Sequence, residues 1–375
     1  PSVRGLYFVR MDMETQTRTR SWRQTAESQE KSQKKQRREP RRTKAQQRID
    51  TMLGQAYARR RLAVPRRDRD RRAFQRRLKT GEIVMPYKGM YIAAAKWESL
   101  SYAQRITWTL RTVCYTHPGW VLCGPSAAGA LGFTTTIKLQ RYVHIAVPKR
   151  SQAGRHGYVI AHYYKDMPAV KTVDGMRVTA EMDTMMDCGR MLDFEHAMVV
   201  CCTGLRLFGL PQHRLRDYVY DRKRIGGIPR ARYVAEHADP ACENGGEATA
   251  LAAILEVGAC RPQMQATFVS PLSGGEIRAD FLWKRDDGSI VVGELDGRQK
   301  YVDPSMMGQG DSIDVILREK DRETQLNMLR VDVVRFQMEH VRDRGQLRQR
   351  LQAAGVPFEP VRRRSPFSGF HCKAY

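Results

Sequence analysis

Residues 277–296 alternate in the manner of two short strands, and the turn between them decides which side chains can meet. Apolar and β-branched residues flank Asp286-Asp287-Gly288. This suits a three-residue turn whose last position needs positive φ, which glycine supplies without a Cβ clash. Such a turn pairs Arg285 with Ser289. Counting outward then sets Asp280 opposite Glu294, with Asp296 two residues on along the same face. A two-residue turn at Asp287-Gly288 would put Asp280 and Glu294 on opposite faces. Like charges directly across a hairpin destabilise it unless a cation lies between them. Clustered carboxylate oxygens are what a hard divalent cation needs, and phosphodiester cleavage uses such a cation. Solvent-facing surface acids are the blander account of the same residues.

The surrounding pattern predicts a helix at 247–257, strands at 264–269, 277–283 and 289–296, and a loop at 301–313. A helix at 314–328, a strand at 331–336 and a helix at 341–353 follow. Four blocks occur in this order: Arg278-x-Asp280-Phe281, Glu294-x-Asp296-Gly297, Glu319-Lys320-x-Arg322-Glu323-x-x-Leu326 and Val333-Val334-Arg335-Phe336. Residues 243–355 thereby resemble the Vsr-like branch of the PD-(D/E)xK nucleases, a restriction-endonuclease-like α-β-β-β-α-β core. The resemblance implies Mg2+ or Mn2+ as cofactor, held by Asp280 and Glu294 with the carbonyl of Leu295. Asp296 stands where the family's usual pattern has a catalytic lysine. Lys300 falls where the Vsr-like pattern often has His or Lys, and it would orient water or stabilise developing charge. Glu247 would reach the metal's water shell, or serve only as an acid at a helix N-terminus. Arg322 and Arg335 would contact phosphate, although Arg322 could equally pair with an acid along its own helix.

The formal charge of +25 is unevenly spread: residues 1–80 hold 25 Lys and Arg against 8 Asp and Glu, and so carry +17 of it. A segment rich in Arg, Lys, Gln and Ser with few large apolar residues does not offset its ordering entropy. Residues 1–70 are therefore expected to be a disordered basic arm that attracts phosphates. An over-extended start, with Met11, Met13 or Met52 as the true beginning, is the equal alternative. No apolar run is long enough to cross a membrane, and no secretory core is seen at the N-terminus. The eight cysteines form no CxxC pair and the nine histidines show no ligand spacing. A reduced cytoplasmic protein with mostly buried thiols is expected, without a zinc or disulfide scaffold.

Between these ends the chain predicts an α/β (α+β) multidomain protein. Arg72–Leu78 followed by two β runs broken at Lys88-Gly89 looks like a winged helix, with Lys88 placed to touch DNA phosphate. A helix at about 99–116 follows. Gly124–Gly132 suggests a strand entering a closely packed helix, there being no Lys-Ser/Thr ending for a phosphate loop. Thr179 is expected to cap the helix after Val173–Ala180, and Asp183 and Asp187 to lie on its solvated face. Lys88-Gly89-Met90-Tyr91, Gly124-x-Ser126-Ala127-Ala128-x-x-Leu131-Gly132 and Gly175-x-Arg177-Val178-Thr179 followed by Asp187 are similar to the AbiEi-type antitoxins of actinobacterial proteins. That resemblance covers residues 70–205 and implies DNA as a partner, with a cognate toxin or other protein besides.

The expected layout is thus the arm (1–70), a winged-helix-like unit (71–116), an α/β middle domain (117–205), a basic connector (206–242), the nuclease-like domain (243–355) and a tail (356–375). Two functions follow. The first is a metal-dependent DNA endonuclease, active in defence or a toxin–antitoxin-like system. The second is a DNA-binding regulator or antitoxin whose nuclease fold is degenerate. Retention of Asp280, Glu294 and Asp296 favours the first, and the aspartate in place of lysine keeps the second open. A small-molecule transferase has no phosphate loop or nucleophile motif behind it.

Overall fold

Thr43 caps the first helix of the computed structural model, which describes residues 43–136, 138–296, 324–326, 328–360 and 365–367. The Thr43 hydroxyl accepts from the Gln46 N–H, and the Gln46 side chain accepts in return from the Thr43 N–H. Helix α1 (Lys44–Ala58) then lays Ile49, Met52, Leu53, Ala56 and Tyr57 onto a small core. Phe74 from α2 (Asp68–Lys79) and Ile83 and Tyr91 from the hairpin β1 (Ile83–Tyr87) and β2 (Met90–Ala93) complete that core. The disordered arm expected to run to residue 70 is therefore corrected: residues 43–70 are folded, while 1–42 lie outside the described residues. The average composition of the segment hid one apolar stripe at helical spacing. A capped amphipathic helix needs no more than that when it has a face to cover.

Helices α3 (Ala94–Ser99) and α4 (Tyr102–Thr116) lead to a six-stranded sheet. Its strands are β3 (Val121–Leu122), β4 (Val143–Val147), β5 (Gly154–His156), β6 (Val159–Tyr163), β7 (Val170–Val173) and β8 (Met176–Thr179), in the order β5-β6-β4-β3-β8-β7. Helix α5 (Gly124–Ala130) is buried at every residue. A Cβ on Gly129 would come within 2.8 Å of Ile106, so the Gly/Ala-rich run serves close packing, as its composition predicts.

His144 on β4 and His162 on β6 face one another, Nδ1 to Nε2, at 2.9 Å. Burial lowers His144 to about 3, with His162 adding to the shift, and burial with Arg190 nearby lowers His162 to about 4. Both are neutral at neutral pH in the folded chain. Below the unfolded value of about 6.5 the unfolded chain takes up protons that the folded chain refuses, so stability falls as pH falls. One such histidine costs about 2 kcal/mol by pH 5. Melting temperatures measured from pH 7 to 5 should decline less steeply in His144→Gln, and an unchanged slope would remove the pair from the account.

Helix α6 (Glu181–Met191) starts after Ala180, and Thr179 does not cap it; the Thr179 hydroxyl bonds that of Thr184 instead. Nor are its acids solvated. Asp187 is wholly buried, paired with Arg190 at 2.9 Å and bonded by the Tyr164 hydroxyl, and Asp183 accepts from the Tyr218 hydroxyl at 2.6 Å. Helical spacing placed the two acids one turn apart but could not show that Tyr164, just after β6, and Tyr218, later in the chain, would partner them.

Helices α7 (Phe194–Leu207), α8 (Gln212–Tyr220) and α9 (Ile228–His237) follow. The expected connector at 206–242 is in fact core structure, with Leu215, Val219, Ile228, Ala231 and Val234 buried. Its many arginines lie outside this apolar set, and they masked it in the sequence. Helix α10 (Gly245–Glu256) is apolar nearly all round and buries Ala248, Ala250, Leu251, Ala253 and Ile254. An all-round apolar helix must be covered on more than one side. It belongs to one continuous core with α7 and with the second sheet.

That second sheet contains β9 (Gln263–Val269), β10 (Glu276–Lys284), β11 (Ile290–Asp296) and β12 (Asp332–Gln337), in the order β12-β11-β10-β9. The first three form an antiparallel meander, and β12 adds parallel to β11. Helices α11 (Met338–Arg342) and α12 (Arg344–Ala353) close the unit. Strand, turn and helix positions here follow the expected order closely. The helix expected at 314–328 lies almost entirely outside the described residues. The seven cysteines described are free thiols, six of them buried. Among the described residues no helix is long and apolar enough to cross a membrane.

Candidate active site

The hairpin turn holds the geometry its sequence requires. Gly288 has φ +85°, the Gly288 N–H donates to the Arg285 carbonyl at 3.0 Å, and the Arg285 N–H donates to the Ser289 carbonyl at 2.9 Å. The Asp287 carboxylate locks the exit by accepting from the Ser289 N–H and hydroxyl. Beyond the turn, Lys284 pairs with Ile290, Trp283 with Val291, Leu282 with Val292 and Phe281 with Gly293. One further step of this register sets Asp280 opposite Glu294, the arrangement expected from the three-residue turn. The Asp280 carboxylate reaches across the strand gap and accepts from the Leu295 N–H at 2.9 Å. Glu294 is only 8 % exposed, so its carboxyl group lies against protein and not in open water.

Glu247 enters from the first turn of α10. Asn244 caps the helix by accepting from the Glu247 N–H at 3.1 Å, and the Glu247 carboxylate accepts from the Asn244 side chain and the Glu243 N–H. The same carboxylate accepts from Gln265 Nε2 at 2.9 Å, and this nitrogen lies 3.5 Å from Asp280 Oδ1. Glu247 is thus part of the helix cap, as an acid at a helix N-terminus is expected to be, and one carboxamide links it to Asp280. Burial pushes the Glu247 carboxyl above its ordinary range. The Glu243 N–H and the Gln265 amide oppose this, while the Asp280 charge adds to it.

The donors present are all oxygens, carboxylates above all, and this set fits a hard cation such as Mg2+ or Mn2+. Mg2+ commonly takes only one or two protein carboxylates together with substrate phosphate. Among the described residues no three His, Cys, Asp or Glu converge tightly enough to enclose a metal unaided.

The remaining expected residues divide by place. Asp296 ends β11, in register with Gln337, and Arg335 lies beside Glu294 in the parallel ladder. Lys88 is exposed at the tip of the β1–β2 hairpin. Lys300 and Arg322 lie outside the described residues.

Two features escaped sequence reasoning. Gln265 is one; the alternation Gln263-Met264-Gln265-Ala266 marks it as the polar side of a strand, but nothing local places it opposite Asp280. The other is a basic surface around the hairpin tip. Tyr87 packs on Tyr158 with ring centroids 5.4 Å apart and donates to its carbonyl, which holds the β1–β2 hairpin at the turn between β5 and β6. There Arg155 covers the Tyr142 ring and Arg150 the Tyr163 ring. Among the described residues neither arginine has an ion-pair partner. One signal was available in the sequence, since no Asp or Glu occurs between Glu98 and Asp166.

Comparison with known proteins adds no assignment: no protein-family model and no curated protein matches the chain.

Proposed function

We propose that this chain is a divalent-metal-dependent endonuclease that hydrolyses phosphodiester bonds in duplex DNA, with a Vsr-like nuclease fold at its C-terminal end. The observation carrying the reading is the hairpin register that sets Asp280 opposite Glu294, with Glu247 drawn to the same place through Gln265. Asp280 and Glu294 are the residues that would hold Mg2+ or Mn2+, which supplies charge neutralisation of the phosphate and an acidified water. Hydrolysis adds a water oxygen to phosphorus, breaks one P–O ester bond and moves one proton from the water toward the leaving alkoxide. Glu247, whose carboxyl burial holds up, suits the carriage of that proton. The Lys88 hairpin, read as the wing of a winged helix as in AbiEi-type proteins, and the Arg150 and Arg155 side chains supply backbone contacts to the duplex.

The test is conversion of supercoiled plasmid by the full chain with and without Mg2+ or Mn2+. Metal-dependent nicking or linearisation is expected, and none under any divalent metal sinks the reading. A specific residue favours the second reading, a DNA-binding regulator with a silent nuclease fold: Asp296 occupies the position where lysine is usual. DNA binding without cleavage is its outcome.

An independent measurement concerns stability. Cations that bind only the folded site stabilise it by mass action, by about 2.7 kcal/mol at a hundredfold excess over Kd. Mn2+ should therefore raise the melting temperature of the wild type. Asp280→Asn should blunt that rise, and an equal shift in both proteins would place the cation elsewhere.

A further inference from the structure

Gln265 adopts φ +50° in the middle of β9. That left-handed conformation costs a residue with a Cβ roughly 1–2 kcal/mol, and glycine would relieve the cost. The strain is local. Ala266 pairs with Ala279 and Met264 with Phe281, and the register is the same on both sides. Between those pairs Gln265 stands opposite Asp280, and this position alone is missing from an otherwise unbroken set. A strand built for stability has no reason to keep a glutamine in this conformation, because its neighbours already hold the ladder.

The side chain shows what the conformation accomplishes. Nε2 lies 2.9 Å from Glu247 Oε2 and 3.5 Å from Asp280 Oδ1, a link between one helix and the adjacent strand. Chemistry decides the orientation of the amide: ionised carboxylates only accept, so the nitrogen must face them. The oxygen, Oε1, is then buried, with no hydrogen-bond partner among the described residues. A buried acceptor left unmade costs about 1–3 kcal/mol. The position thus carries two costs at once, and a ligand that donates a hydrogen bond to Oε1 would offset the second of them. In phosphoryl hydrolysis a glutamine carboxamide can orient an attacking water.

We propose that Gln265 is a positioning residue of the cleavage site: its Nε2 holds the Glu247 and Asp280 carboxylates together, and its Oε1 receives a hydrogen bond from the hydrolytic water. The inference rests on the nuclease reading and supplies the water-orienting group that Asp296, in the usual place of lysine, does not.

The experiment compares full-length wild type, Gln265→Gly and Gln265→Glu in two measurements: plasmid cleavage with Mn2+ under single-turnover conditions, and thermal melting with and without Mn2+. Gln265→Gly should cleave roughly 10²-fold more slowly, the scale expected when a reacting group is misplaced. Half-saturation by DNA should be unchanged, and the metal-free melting temperature should equal or exceed that of the wild type because the strained backbone is relieved. Gln265→Glu keeps the shape but sets a third carboxylate against two. It should melt earlier without metal, gain more than the wild type from Mn2+, and still cleave slowly. A merely structural glutamine would instead make cleavage and metal-free stability fall together in Gln265→Gly, and that result overturns the proposal, as does cleavage at the wild-type rate. If the wild type neither cleaves nor is stabilised by Mn2+, the nuclease reading and this inference fall together. If Mn2+ stabilises a wild type that does not cleave, the nuclease reading and the water-orienting role fall together, and loss or retention of the shift in Gln265→Gly decides the carboxylate-holding role.

Discussion

Glu294→Ala and Asp280→Ala should each reduce Mg2+- or Mn2+-dependent plasmid cleavage by on the order of 10³-fold or more. A Lewis-acid cation supplies several kcal/mol of transition-state charge stabilisation, and each factor of ten in rate is about 1.4 kcal/mol. Removing either carboxylate from a site with so few protein ligands leaves little to retain the cation. Neither change should unfold the chain, because the two acids face each other across the hairpin and their repulsion disappears with either one. Glu276→Ala provides the control, since Glu276 lies on the same strand β10 but is exposed. Cleavage by the double variant Asp280→Ala/Glu294→Ala at the wild-type rate would remove the site; so would an equal loss in Glu276→Ala.

The second large effect concerns stability. Asp187→Leu should destabilise the fold by about 3–5 kcal/mol, because it leaves the buried Arg190 guanidinium without its counter-charge. Asp187 is fully buried and accepts from Arg190 Nε at 2.9 Å. Burial drives its carboxyl above the usual aspartate value against the pull of Arg190 and Tyr164. The double variant Asp187→Leu/Arg190→Leu should be more stable than Asp187→Leu alone, since it removes the stranded charge as well. Urea or thermal melts of the three proteins measure this coupling. If the double variant is the least stable of the three, Asp187 and Arg190 contribute independently and the argument from a stranded charge fails.

The C-terminal hairpin was legible because its determinants are local. A glycine at the only turn position that demands positive φ sets the turn length, turn length sets register, and register decides which carboxylates face each other. Strand and helix order in the same unit could be read for a similar reason, since periods of two and of three to four residues repeat over short windows. Helix α10 was visible in this way, and so was the packing role of the Gly124–Gly132 run. Where composition was averaged over long stretches the reading failed. Ile49, Leu53 and Tyr57 were lost among arginines and glutamines, and Leu215, Val219 and Val234 among the arginines of the expected connector.

What the sequence by itself determined is the set of local conformations: the element order of the C-terminal unit, the Asp286-Asp287-Gly288 turn and the hairpin register that this turn sets. Tertiary structure alone decided the long-range meetings. Gln265 reaches Asp280 because β9 pairs with β10 across a separate turn, and it reaches Glu247 because α10 is held against the sheet by an apolar core shared with α7. Asp187 is buried and not a surface acid because the helix that carries it packs where the Tyr164 hydroxyl meets it, while Arg190 pairs with it from the next turn of the same helix. A turn or a cap is set by the dihedral and hydrogen-bonding preferences of a few adjacent residues. The company a polar side chain keeps depends on where whole elements pack, and that is a property of the assembled core.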